Sequence, residues 1–329
     1  MKKALLLVAA TALALSAGSG LAQDKKTLAV VVKGLDNPFF TVLGNGCAKW
    51  NEENADSEYE CLYTGPALTS DEAGEVQLVQ DLIAQGVAGI AISPSNAPAM
   101  ASMLRAQNPS MPIMTIDADL QPEDRDLRKT YLGTENYQMG VLMAKYAKQF
   151  KPDGGTVCLQ LGNVAANNIN ERAAGFRDTI SGEMDTERLT GQNGWTEIDG
   201  CPVYTNDDIA TANQQMADVT GANPDLDAFI LVGGWAQFGP EAYQANCNTL
   251  KDRIDSKDLV IVAGDTLPPQ MDALKNGCSH AQIGQRPWEM GHRAPDVLIQ
   301  LINGETVDDP LYTGLDECTQ DNADSCLAG

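Results

Sequence analysis

At 329 residues, 43% of them hydrophobic, the chain can form two domains of ordinary size around a large buried core. Its 45 acidic against 22 basic residues leave a formal net charge of −23. That balance repels nucleic acid, whose binding needs clustered Lys and Arg, and the acidic residues are too scattered to point to a cationic ligand.

The first residues, MKKALLLVAATALALSAGSGLAQ, have the three parts of a secretory signal: basic Lys2 and Lys3, an apolar run over 4–17, and the small-residue cleavage site Gly20-Leu21-Ala22. A signal peptide is therefore expected over 1–22, with a soluble mature chain exported to the periplasm. No cysteine stands near the cleavage point, and no later segment is apolar enough to span a bilayer.

Beyond the signal, short apolar runs alternate with helix-like stretches. Strands are predicted at 27–33, 58–63, 87–93 and 111–116, with helices at 38–53, 69–85 and 96–107 between them. In the second helix, Thr69 and Glu72 have the spacing of a capping box, and Ala73, Val76, Val79 and Ile83 recur at helical spacing. A second series follows, with strands at 155–161, 226–232 and 258–264 and helices at 136–150, 166–182, 208–221 and 236–250. Strands that are apolar throughout, separated by helices, argue for parallel sheets covered on both faces. The predicted fold class is α/β, with two doubly wound parallel-sheet lobes.

In open parallel sheets, ligands bind beyond the carboxyl ends of the strands. Lys33, Ser93, Asp117, Asn163, Gly233-Gly234-Trp235 and Asp265 stand at those ends. Any one of them can serve as a helix cap or turn residue. Their regular placement is what points to a binding site.

The eight cysteines are even in number and spread out, with no C-x-x-C pair, which fits disulfides in an exported protein better than zinc or redox sites. Spacing alone fixes no connectivity; the simplest hypothesis joins neighbours, Cys47–Cys61, Cys158–Cys201, Cys247–Cys278 and Cys318–Cys326.

No catalytic constellation is visible. The chain has two histidines, His280 and His292, and lacks H-E-x-x-H, the phosphate-loop pattern and G-x-S-x-G; beyond the signal it also lacks G-x-G-x-x-G. Glu289 and His292 can share a helix face, but two ligands make a poor metal site. The expectation is a non-enzyme with no cofactor and no metal.

The stretches VVVKGLDNPFF, VQDLIAQGVAGIAISPSNA, PIMTIDADL, NERAAGF, NPDLDAFILVGGW, VIVAGD and IGQRPWEMG, in this order and spacing, carry a specific resemblance. The chain resembles the periplasmic sugar-binding proteins of ABC transporters, of the ribose-binding type (type I periplasmic binding fold). The resemblance implies two lobes joined by a three-segment hinge: an N-terminal lobe of 24–134 plus 286–314 and a C-terminal lobe of 135–285 plus 315–329. It also implies a monomeric solute-binding protein that captures a sugar, polyol or sugar derivative between the lobes and delivers it to an ABC permease. A periplasmic receptor signalling to a membrane sensor is the alternative.

By the same resemblance, Phe39 and Phe40 match an aromatic pair that covers a sugar face, and Asn37 matches a hydroxyl-binding asparagine. Asp117 matches an aspartate that accepts from two hydroxyls, while the arginine that follows it in ribose binders is Ala118 here. Arg172, Asp265 and Gln285 match polar contacts from the other lobe, and Asn163 stands where the family has an apolar residue. Lys33 replaces a common serine and could bind hydroxyls or a carboxylate on an acidic sugar; Ser93 replaces an asparagine. The second-lobe aromatic aligns near Asn206, inside the unfamiliar insert GQNGWTEIDGCPVYTNDD. Trp195 could supply that ring, pack in the core, or belong to a loop pinned at Cys201. Gly233 stands in place of an asparagine and, with Gly234, would open space for a larger ligand walled by Trp235, which argues against plain ribose.

Overall fold

A computed structural model describes residues 25–327; the expected signal peptide, 1–22, lies outside the described residues. The chain begins with β1 (Lys26–Val31), α1 (Pro38–Glu53), β2 (Tyr59–Thr64), α2 (Glu72–Gln85), β3 (Gly89–Ile92), α3 (Ala97–Gln107), β4 (Ile113–Ile116) and β5 (Tyr131–Gly133). It continues through α4 (Asn136–Phe150), β6 (Gly155–Leu161), α5 (Asn167–Ser181), β7 (Trp195–Glu197), β8 (Val203–Tyr204), α6 (Ile209–Ala222) and β9 (Ala228–Leu231). Then come α7 (Pro240–Ser256), β10 (Val260–Gly264), α8 (Pro268–Lys275), β11 (Ala281–Gly284), α9 (Pro287–Ile302), β12 (Leu311–Tyr312) and β13 (Asp316–Thr319).

Two sheets result. One has the order β2-β1-β3-β4-β5-β12 and is parallel throughout. The other has the order β7-β6-β9-β10-β11-β13, with β8 also on β6; it is parallel except for the antiparallel edge strand β13 on β11. The chain passes from one sheet to the other between β5 and α4, between β11 and α9, and between β12 and β13. In each sheet the strand order reverses beside the first strand, at β1/β3 and at β6/β9. Helices on either side of such a switch point diverge and leave a crevice at the strand ends.

The apolar strands fill both faces, as their unbroken hydrophobicity requires. On β1, Leu28 and Val30 face a layer with α1 and α9, while Ala29 and Val31 face the layer of α2 and α3. Four disulfides join neighbouring cysteines: Cys47–Cys61, Cys158–Cys201, Cys247–Cys278 and Cys318–Cys326, with Cα separations of 5.3 to 5.7 Å.

Two local expectations need correction. The capping box at Thr69 does not form: α2 starts at Glu72 and is capped by Asp71, whose carboxylate accepts from the Gly74 N–H at 2.9 Å. Thr69 is taken by Asp36, which accepts from its N–H at 2.9 Å and its hydroxyl at 2.6 Å. The helix predicted at 236–250 is a short 3-10 turn over Ala236–Phe238 followed by α7, because Gly239 leaves helical geometry and Pro240 opens a new helix.

Candidate functional site

The carboxyl ends of the two sheets face each other across a small cavity. Lys33, Asn37, Phe39, Phe40 and Asp117 line it from one side, and Arg172, Gly233, Trp235, Asp265 and Gln285 from the other. Ten of the residues singled out in the sequence therefore meet around one space.

On the first side, Asn37 caps α1, its side-chain oxygen accepting from the Phe39 N–H at 2.9 Å, and Pro38 occupies the first helical position. The cap aims Phe39 and Phe40 inward, and the two rings meet edge to face with centroids 5.3 Å apart. Both are almost fully buried and belong to the first lobe's core, which Phe238 and Leu267 of the other side join. The rings thus pack and wall the cavity at once.

Asp117 ends β4 in the left-handed region, at φ 62°, and Asp265 ends β10 likewise at φ 71°. This backbone is uncommon for non-glycine residues and least costly for Asp and Asn. Its recurrence at equivalent ends of the two sheets turns a carboxylate into the cleft from each side. Asp117 accepts from the Ser93 hydroxyl at 2.7 Å and lies 3.8 Å from the Lys33 ammonium. Lys33 also donates to Asn168 Oδ1 at 3.3 Å, a bond that crosses the cleft.

A connected polar network holds the second side. Arg172 donates to Asn136 at 2.9 Å, to the Val232 carbonyl at 3.2 Å and to Gln285 Oε1 at 2.7 Å. Gln285 donates to Asp265 Oδ1 at 2.6 Å, and the other Asp265 oxygen accepts from the Gly234 N–H at 2.9 Å. The Thr134 hydroxyl also donates to Gln285, at 2.8 Å. Each member is buried, so the network fixes the direction of every remaining donor and acceptor. Burial pushes the Asp265 carboxyl above its ordinary range, opposed by Arg172 and the bonds from Gln285 and Gly234. Glu75, behind Lys33 and bonded to Ser95, is pushed up to about 7 by burial.

The remaining predicted residues lie elsewhere. Ser93 is buried behind Asp117 and orients it without lining the cavity. Asn163 also does not line it; its amide donates to Glu72 across the lip of the cleft while its oxygen caps the Ala165 N–H at 2.8 Å. Asn206 is exposed, and its neighbour Asp207 lines the cavity instead. Both adopt left-handed backbone, at φ 51° and 61°, which turns Asn206 out and Asp207 in. Gly233 does not open space for ligand as expected: a Cβ there would strike the Trp235 ring at 2.7 Å, so the glycine makes room for the indole. Trp195 is buried in the second lobe's core on β7 and supplies no ring to the site.

Asn168, Ile169, Asp207 and Phe238 line the cavity without having been singled out. Asn168 and Ile169 stand four and three residues before Arg172 on α5, so helical spacing from Arg172 would have found them. Nothing local marks Asp207 or Phe238. Among the described residues no group of three or more His, Cys, Asp and Glu is placed to hold a metal, and no helix is long and apolar enough to cross a membrane. Glu289 pairs with Arg293 at 2.7 Å, while the His292 ring stacks on Trp288 and meets Glu53.

Comparison with known proteins places the chain in a family and a fold. The periplasmic binding protein domain family matches residues 28–306. The ribose import binding protein of Salmonella typhimurium is 24% identical over 310 residues, covering 93% of this chain and 95% of the relative. The D-ribose/D-allose-binding protein of Pseudomonas aeruginosa is 26% identical over 222 residues, 66% of each chain. Among solved structures, an ABC transporter solute-binding protein from Burkholderia graminis in complex with D-arabinose is 28% identical, with a TM-score of 0.77 over 92% of this chain and 98% of that one. One from Agrobacterium vitis with bound D-fucose has a TM-score of 0.79 at 24% identity, over 91% and 97%. With two α/β lobes, a polar and aromatic cleft between them and a family match over most of its length, the chain belongs to the periplasmic binding protein domain family.

Proposed function

We propose that the chain is an exported, monomeric solute-binding protein that captures a monosaccharide, polyol or related sugar derivative between its lobes and delivers it to an ABC permease. The observation that carries this is the cavity itself. Two aromatic rings from α1 and the Trp235 indole supply flat apolar surfaces, while Lys33, Asn37, Asp117, Arg172, Asp265 and Gln285 supply donors and acceptors around them. A sugar has that dual character, with apolar C–H faces and an edge of hydroxyls. The relatives support the class, since their names and bound ligands are pentoses, a hexose and a deoxyhexose.

Ligand contacting both lobes, 24–134 plus 286–314 and 135–285 plus 315–329, would favour the closed arrangement by its differential affinity. The basic and apolar start of the chain supports export to the periplasm, and the lobes then present their joined surface to the permease. A thermal-shift panel of pentoses, hexoses, deoxyhexoses and polyols tests the reading. A bound member at 100 times its Kd should stabilise the protein by about 2.7 kcal/mol, a clear rise in Tm. A panel that leaves Tm unmoved throughout would sink it.

A further inference from the structure

Three carboxylates line the cavity, Asp117, Asp207 and Asp265, against the two cations Lys33 and Arg172. Asp117 has Ser93 and Lys33, and Asp265 has Gln285 and the Gly234 N–H. Asp207 differs. Its Oδ1 is buried and has no hydrogen-bond partner among the described residues. The surroundings hold it there: Asn206 and Asp207 take consecutive left-handed conformations, and the Asp207 N–H is anchored on the Thr205 hydroxyl at 3.0 Å. Beneath it, a Cβ on Gly162 would collide with Asp207 Oδ1 and the Trp235 ring, so only glycine leaves room for this placement. A buried acceptor without a donor is costly unless something else satisfies it. Lys33 makes its hydrogen bond to Asn168 and its ion pair to Asp117, and gives none to Asp207 Oδ1.

Resting on the sugar-capture reading above, we infer that Asp207 is a specificity-determining ligand contact, which accepts a hydroxyl or amine donor from the bound sugar and excludes sugars carrying a carboxylate. Its unpartnered oxygen supplies the missing half of a hydrogen bond. A ligand carboxylate would meet three acidic groups against two cations that already have partners, Lys33 with Asp117 and Arg172 with Asn136, the Val232 carbonyl and Gln285. An acidic sugar, which Lys33 alone suggested, is disfavoured by this charge balance.

The charged groups facing Asp207 are Lys33 from the end of β1, Asp117 from the end of β4 and Arg172 from α5. Burial and Asp117 favour its protonated form, and Lys33, the nearby Asn163 N–H and Arg172 oppose them. A ligand donor binds the ionised form, so affinity should fall on acidification. In the test, the full exported chain is titrated calorimetrically with whichever of D-ribose, D-allose, D-arabinose, D-fucose and myo-inositol binds, and with D-galacturonate and D-glucosamine, at pH 7.5 and 5. Asp207→Asn should lose about 10-fold and Asp207→Ala about 10- to 100-fold in affinity for the bound neutral probe. Wild type should ignore D-galacturonate, and Asp207→Asn should flatten the acid loss of affinity. Asp207→Asn preserves shape, so its profile decides the matter even where the alanine variant folds poorly. Wild type that binds a neutral probe, with both variants within twofold, overturns the assignment alone; tight D-galacturonate binding overturns the exclusion. No binding by any probe overturns the sugar reading and this inference with it.

Discussion

At the scale of residues, the site is built from side chains whose backbone is unusual. Asp117 and Asp265 sit at positive φ at strand ends, and Asp207 does so in a loop. This shapes the mutation that tests Asp117. Alanine there would add roughly 1 kcal/mol of left-handed backbone strain to the lost contact, whereas Asn tolerates the same φ. Asp117→Asn is expected to weaken sugar binding about 10- to 100-fold by calorimetry, since a charge-assisted acceptor is lost. Circular dichroism should show the fold intact. An unchanged Kd would remove Asp117 from the site. The strand-end residues were legible because ligand crevices in parallel sheets lie there. Asp207 was not, because its role depends on which of two adjacent left-handed residues turns inward.

At the scale of elements, unbroken apolar runs and helical spacing placed most of the helices and the central strands to within a few residues. The misses have physical causes. β5 and β12 are too short to show a pattern, β13 is a polar edge strand with no apolar run, and α9 carries an internal Pro295. Trp195 on β7 became core because the insert around it adds an edge strand beside β6 instead of reaching the cleft. The Cys158–Cys201 disulfide ties β6 to the loop that enters β8 and then Asp207. Replacing both cysteines by Ser should lower stability by about 4 kcal/mol in the chain-entropy model. It should also weaken sugar affinity by loosening the Asp207 loop; denaturant melts and titration of the same variant separate the two effects.

His280 offers a second test at this scale. It lies at the entrance to β11, where Nδ1 accepts from the Ile261 N–H at 3.1 Å and Nε2 faces the Ile254 carbonyl at 3.1 Å. Burial holds its pKa below the ordinary value. Its neutral form is therefore favoured in the folded state, and the unfolded chain binds the extra proton first. His280 should lose its stabilising contribution as pH falls through about 6.5 towards the folded value. Tm measured from pH 7.5 to 5 should decline, and His280→Gln should flatten that decline while costing about 1–3 kcal/mol at pH 7.5. A profile unchanged by the substitution would exclude His280 as its source.

At the scale of the whole molecule, the two lobes are held together at the cleft lip by bonds that no sequence pattern signals. Glu72 on α2 accepts from Asn96 at 2.7 Å in its own lobe and from Asn163 in the other. Nearby, Arg125 donates to Glu171 on α5 at 3.0 Å. These links favour the closed arrangement only while the lobes meet, so they should act on ligand release. Glu72→Ala is expected to raise the sugar dissociation rate about three- to tenfold, with the association rate little changed. Stopped-flow kinetics reads both rates, and an unaltered dissociation rate would count against a latch. Asn163 looked like a ligand residue because it stands at a strand end; the closed geometry gives it to the lip.

The sequence by itself determined the α/β class, the succession of buried parallel strands, and the kinds of chemical group presented at their ends. Those properties are local, written in side-chain periodicity and in the residues that stop each strand. Only the tertiary structure decided which groups meet. Lys33 reaches Asn168 across 135 positions of chain, and Arg172 meets Gln285 across 113. Such pairings depend on how the two sheets face each other, a relation that no run of neighbouring residues encodes. The same relation turned Asn163 from the cavity to the lip and put Asp207 where Asn206 was expected.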